Sequence, residues 1–141
     1  MMCRHALFCI LIPTLPLLAA CENSATSMVI ENKDHALVLI REQPHLWSNE
    51  VEQYIVVSRL PDCQRRVKIH PDRTMMTPMT VYEMGHLLWA LNQGEDRWYL
   101  VSTEGCQVQD WDNLRGRRPG VAVGSFEQRD GKNVFTVNPG P

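Results

Sequence analysis

The sequence predicts an all-β domain, a small antiparallel β-sandwich or barrel. Three observations carry the prediction. From residue 28 onward the apolar residues come in short bursts rich in β-branched side chains, and no burst keeps a 3.6-residue period long enough for a stable helix. Clusters containing Gly, Pro, Asn and Asp punctuate the bursts at short intervals. Finally, Asp130-Gly131 separates two short runs near the C-terminus, and that dipeptide suits a two-residue type I′ hairpin turn.

Taken in order, residues 28–32 and 36–41 read as the first two strands, joined around Lys33-Asp34-His35. Residues 43–49 read as a loop broken by Pro44, with Ser48 placed to cap a single helical turn over 48–52. Residues 51–60 form the longest strand candidate. Tyr54-Ile55-Val56-Val57 is apolar on both faces, which predicts a central strand buried from two sides. Pro61-Asp62 then turns the chain at Cys63. Residues 65–70 alternate, Val67 and Ile69 facing one way and Arg66, Lys68 and His70 the other. Two further strands, 79–84 and 86–92, flank Gly85. A turn at 93–96 sends the chain back through 97–103, and Leu87, Trp89, Leu91, Trp98 and Leu100 are expected in the core. Residues 108–111 follow as a short strand, and 112–120 as a Gly/Pro/Arg loop. In the last hairpin the turn puts Arg129 opposite Lys132 and Phe126 opposite Phe135, an aromatic pair worth up to about 1 kcal/mol. Residues 138–141 are a frayed end.

The N-terminal segment follows different rules. Arg4 gives the first five residues their positive charge, and residues 6–18 are apolar but interrupted by Pro13 and Pro16. A spanning helix needs about 20 apolar residues, so this run reads as the h-region of a signal peptide. It ends in Leu18-Ala19-Ala20-Cys21, which resembles the lipobox of bacterial lipoproteins. The resemblance covers residues 1–21 alone. It implies cleavage between Ala20 and Cys21, a diacylglycerol on the Cys21 thiol and a fatty acyl group on the new amino terminus. Each buried acyl methylene contributes about 0.8 kcal/mol, and stable anchoring takes two chains, which such a cysteine supplies. Glu22 follows, rather than the aspartate associated with inner-membrane retention in enteric bacteria. That points to the outer membrane, periplasmic face, with the inner membrane as the alternative. The expected division is a signal peptide over 1–20, the lipidated cysteine and a flexible tether over 21–27, and a single β domain over 28–138.

Removing the first twenty residues leaves thirteen basic and sixteen acidic side chains, a net charge of −3. A mildly acidic domain argues against nucleic acid as a partner. No second apolar run reaches membrane-spanning length, so the lipid is the expected membrane attachment, and no cofactor beyond that covalent lipid is expected. Of the five cysteines, Cys3 and Cys9 leave with the signal and Cys21 carries lipid. Cys63 and Cys106 remain, and in an oxidising compartment their expected state is a disulfide. Neither belongs to a Cys-x-x-Cys motif or has a histidine nearby at ligand spacing, which disfavours a redox or metal pair.

The remaining candidates are sparse. His35, His45, His70 and His86 show no ligand spacing, so no metal site is expected. Ser102 and Ser125 lack a Gly-x-Ser-x-Gly elbow and no cysteine is left free, so an enzyme is not expected. Arg115, Arg117 and Arg118 form the densest positive patch, in the loop that starts just after Trp111. Arginine beside tryptophan is a frequent interface composition; anionic headgroups or a carboxylate-rich cell-wall polymer would suit it equally, and a solvated loop is the plainer alternative. Arg66 and Lys68 form a weaker basic stripe. Trp89 and Trp98 are expected in the core, Trp47 and Trp111 at the surface, and Met75 and Met76 as gap fillers or adaptable surface. The sequence therefore predicts a non-catalytic, lipid-anchored envelope lipoprotein. Its domain would bind a protein partner or envelope polymer through Trp111, Arg115, Arg117 and Arg118. The alternatives are a periplasmic carrier of a small apolar ligand, with Trp and Met at a barrel mouth, and a lysozyme-inhibitor-like lipoprotein. Lysozyme-inhibiting lipoproteins and the anchored lipoprotein of type VI secretion are similar in general architecture only, with no defining motif found here.

Overall fold

Ten strands and no helix make up the residues that the computed structural model describes, 21–94, 96–113 and 118–139. They are β1 (Asn23–Asn32), β2 (His35–Glu42), β3 (Glu50–Arg59), β4 (Cys63–Arg73), β5 (Met79–Gly85), β6 (Leu88–Gln93), β7 (Trp98–Ser102), β8 (Gln107–Asp110), β9 (Val121–Arg129) and β10 (Lys132–Val137). Every pairing is antiparallel, in a four-stranded sheet ordered β1-β2-β3-β4 and a six-stranded sheet ordered β10-β9-β5-β6-β7-β8. The core lies between them. Leu37, Leu39, Ile55, Val57 and Ile69 from the first sheet meet Met79, Val81, Trp89, Leu91, Tyr99, Val101 and Phe126 from the second. The chain is a β-sandwich, as its patterning predicts.

Local chemistry explains the hairpins. Asp130 and Gly131 both adopt positive φ, 50° and 73°, as a type I′ turn requires. The turn sets the expected register, Arg129 against Lys132 and Phe126 against Phe135, with the two rings 4.9 Å apart. Phe135 also lies over Gly124, where an added Cβ would sit 2.5 Å from its ring, so only glycine admits the pair. Pro71 is tolerated within β4 because β4 is an edge strand.

Four expectations are corrected. The stretch read as a flexible tether is strand: β1 begins at Asn23, and its residues pair with β2 from Asn23 opposite Glu42 to Val29 opposite Ala36. Its alternation is real but is written in small polar residues, with Thr26 and Met28 buried and Ala25 and Ser27 exposed. The helical turn expected over 48–52 is not formed. The Ser48 hydroxyl instead accepts from the Glu50 N–H at 3.1 Å, and β3 starts there. β3 is central in its sheet, yet Tyr54 and Val56 are only half-buried on the outer face, where the Arg66 guanidinium lies 3.9 Å over the Tyr54 ring. Finally, Trp98 is buried as expected, but in a second cluster outside the main core, where Leu100 is only partly buried. The register puts Tyr99, not its neighbours, opposite Leu91, so they face outward and pack with Tyr82, Met84, Ala90, Trp111 and Ala122. Residues 1–20, with the expected signal peptide, lie outside the described residues.

Both open sides of the sandwich are fastened. On one, Asn133 of β10 donates to Ser24 of β1 at 2.5 Å. On the other, Cys63 at the start of β4 is bonded to Cys106 just before β8, with the Cα atoms 5.9 Å apart. The sequence separation is 43 residues, and closing such a loop stabilises the folded state by roughly 4 kcal/mol in the chain-entropy treatment. A Cys63→Ser/Cys106→Ser variant should lose about that much in urea denaturation. A loss under about 1 kcal/mol would mean that the bond adds little to this sandwich.

Candidate functional site

The strand register gathers several chain segments at one end of the sandwich. In the first sheet Asn23, Glu42, Glu50 and Arg73 fall there; in the second, Met79, Gln93, Trp98 and the β9–β10 turn. Buried beneath this end is Arg41, only 1% exposed. Leu37, Leu39 and Arg41 share one face of β2, so the alternation that buries the leucines buries the arginine too.

All five guanidinium N–H groups of Arg41 have acceptors. Nε donates to Glu22 Oε1 at 2.6 Å and Nη2 to Glu22 Oε2 at 3.4 Å. Nη1 donates to Asp72 Oδ2 at 2.9 Å and to Gln53 Oε1 at 3.0 Å, and Nη2 to the Arg73 carbonyl at 2.7 Å. The acceptors are themselves held. Asp72 also accepts from the Thr77 N–H and hydroxyl, at 2.8 and 2.9 Å. Gln53 and Gln93 face each other across the sheets, Gln53 Nε2 donating to Gln93 Oε1 at 2.8 Å. Glu22 Oε1 accepts a further bond from Asn133 Nδ2 at 2.9 Å. One cation thus joins the first residues of the described chain, β3, the end of β4 and, through these partners, both sheets.

Glu22 is fixed along its backbone as well. Its N–H donates to Gln43 Oε1 at 3.0 Å, and its carbonyl accepts from the Gln43 N–H at 2.7 Å. Cys21 follows directly outward as a half-exposed free thiol, in a shallow concavity shared with Gln43, Thr74 and Lys132. Gln43 Nε2 reaches the Ser48 carbonyl at 2.6 Å, and the Thr74 N–H donates to the Asn49 carbonyl at 3.0 Å. The 43–49 loop and the 74–78 connection are therefore neighbours of Cys21. They carry Trp47, 84% exposed, Met75, 82% exposed, and Leu46, 51% exposed. Trp47 stacks on His45 with ring centroids 5.0 Å apart.

Trp111 belongs to a separate cluster. Trp111, expected at the surface, is half-buried and packs edge-on against Trp98 at 5.7 Å, closing the outer-face cluster of the six-stranded sheet. Its N–H donates to the Trp98 carbonyl at 2.9 Å. Arg118 is exposed, whereas Arg115 and Arg117 lie outside the described residues. The connection that carries them joins β8 to β9, which have three strands between them in the sheet. Nearby, burial pushes the Tyr99 phenol above its ordinary pKa, and its hydroxyl accepts from the His70 N–H at 3.3 Å. The basic stripe of Arg66 and Lys68 is bound within the protein: Arg66 pairs with Glu42 at 3.0 Å and Lys68 with Glu52 at 2.8 Å. The Lys68 and Tyr54 hydrogen bonds hold the Glu52 carboxyl below its usual range.

The histidines are dispersed. His35 is buried against Thr103 Oγ1 at 2.9 Å, His45 lies under Trp47, and His70 and His86 are exposed. Reading residues singly passed over Arg41, Gln53 and Gln93. The signal was available: each is in phase with apolar residues two positions away, Leu39, Val51 with Ile55, and Leu91. Compared with protein-family models, curated proteins and solved structures, the chain finds no match in any of the three.

Removing one member of a buried ion network leaves the others uncompensated, which costs about 3–5 kcal/mol. Arg41→Met should therefore lower stability by that amount in urea denaturation. Arg41→Lys should recover only part of it, because an ammonium has three donors and no planar fork. Equal stability of Arg41→Met and wild type would show that the network contributes nothing net.

Proposed function

We propose that the protein is a non-catalytic, lipid-anchored envelope lipoprotein whose β-sandwich binds a protein partner or envelope polymer at the periplasmic face of the outer membrane. One observation carries the anchor. Cys63 and Cys106 are bonded to each other, while Cys21 is the unbonded thiol among the described residues, half-exposed at the rim of the fold with Glu22 alone between it and β1. A thiol so placed is accessible to an acyl-transfer enzyme, and the Leu18-Ala19-Ala20-Cys21 motif supplies the cleavage and acylation signal.

The partner-binding half of the proposal rests on the surface. Because apolar side chains fill the space between the sheets, binding is assigned to the exterior rather than to a cavity for a small apolar ligand. Trp111 and Arg118 bracket the β8–β9 connection, the Trp partly open and the Arg exposed, and this composition suits an anionic protein surface or polymer. Packing against Trp98 holds Trp111 in place, which lowers the entropy cost of using it as a contact.

Two measurements test the proposal. Expressed in a bacterium that processes lipoproteins, the wild type should incorporate labelled palmitate and sediment with membranes. Cys21→Ser should do neither, and unchanged fractionation of that variant would remove the anchor. For the partner, cross-linked complexes recovered from detergent-solubilised envelope should be depleted in Arg118→Glu by tenfold or so, the scale of losing about 1.4 kcal/mol at an interface. Identical recovery would remove this loop from the binding surface.

A further inference from the structure

We infer that the end of the sandwich carrying Cys21 docks directly on the bilayer, with Trp47, Leu46 and Met75 entering the boundary between headgroups and acyl chains. The inference rests on the lipid-anchor reading and adds an orientation to it. Anchored domains are commonly set off by a flexible linker, but here none is left. Glu22 alone separates Cys21 from the first strand residue, and consecutive Cα atoms are about 3.8 Å apart. Glu22 cannot act as a swivel. Its carboxylate is bonded to Arg41 and Asn133, and its backbone to Gln43 on both sides. Acyl chains on Cys21 therefore bring the surrounding protein surface down to the membrane.

That surface has the composition a membrane interface takes. Seven large apolar side chains among the described residues are exposed: Val29, Leu46, Trp47, Leu60, Met75, Val121 and Val137. The two most exposed, Trp47 and Met75, both lie in the loops bordering Cys21, and Leu46 is next to Trp47. The remaining four lie toward the opposite end of the strands, two on each sheet. Tryptophan is favoured at the headgroup level, where an amphipathic ring meets both phases. A flexible thioether and a leucine add apolar area to the same contact. The 43–49 loop is held in position by Gln43 and by the Thr74–Asn49 bond, so these side chains are presented rather than ordered on arrival. With the anchor as pivot and this rim as a second contact, the domain holds one orientation, and the Trp111 and Arg118 region stands at a defined angle to the membrane.

The test uses the full-length lipidated protein, purified in detergent and reconstituted into phosphatidylethanolamine/phosphatidylglycerol vesicles with and without acyl-brominated lipid. Tryptophan emission is compared with that of Trp47→Phe, a conservative change at an exposed site, after mass spectrometry has established the lipid on Cys21. The Trp47 contribution should shift to the blue on reconstitution and be quenched by brominated chains, with both effects lost in Trp47→Phe. If Cys21 carries lipid and the protein floats with the vesicles while Trp47 emits as in water, unquenched, the docking is overturned and the anchor stands. Absence of lipid on Cys21 overturns both.

Discussion

A guanidinium removed from water must find an acceptor for each of its five N–H groups, and Arg41 does so only in the assembled four-stranded sheet. Its acceptors come from the start of the described chain, from β3 and from the end of β4. No two neighbouring strands could satisfy it alone. Burying such a charge is expensive, and the mutual attraction offsets the cost only when every polar group is matched. The network therefore discriminates against strand slippage. A one-residue shift of β2 would turn Arg41 outward and leave Glu22 and Asp72 without their cation.

The same bonds determine how the N-terminus behaves. Small polar residues at the head of a domain ordinarily form a loose leader, and an anchored domain on such a leader could sample many orientations. Here Glu22 joins Arg41, the most buried cation among the described residues, so the residue next to Cys21 is already held in the fold. The Cys63–Cys106 bond and the His35–Thr103 hydrogen bond tie the sheets together far from Arg41 along the strands, so a cross-link or polar bond closes each end. Between them the apolar core sets the layer spacing. What the surface presents is then decided by turns and rims rather than by the interior.

Much of this was legible in the chain. Asp130-Gly131 specifies its turn and hence the Phe126–Phe135 pair, because φ and register are local properties. The Cys63–Cys106 bond matches the pairing expected once Cys3, Cys9 and Cys21 are set aside. The start of β1 was not legible, since Asn23 to Ser27 has the composition of a linker and its inward residues, Ser24 and Thr26, have no hydrophobic signature. Its order comes from Glu42, Arg41 and Asn133, partners distant in sequence. The facing of Trp98 and Leu100 required the β6–β7 register, which the chain does not spell out. Arg41, Gln53 and Gln93 lie between these cases. Period-two counting puts all three on the core side, and three polar residues in core phase predict a buried network, although their convergence needs the fold.

The account stands or falls on whether the chain is ordered from Glu22 onward. Amide hydrogen exchange of the full-length protein reads this residue by residue. Amides of Ser24, Thr26 and Met28, which point into the β1–β2 ladder, should be protected to the same degree as those of the β2–β3 ladder, the order expected of a cooperative unit. Exchange of that segment at the rate of an unstructured peptide, with β2 and β3 still protected, would contradict the claim that Arg41 clamps the N-terminus into the sandwich.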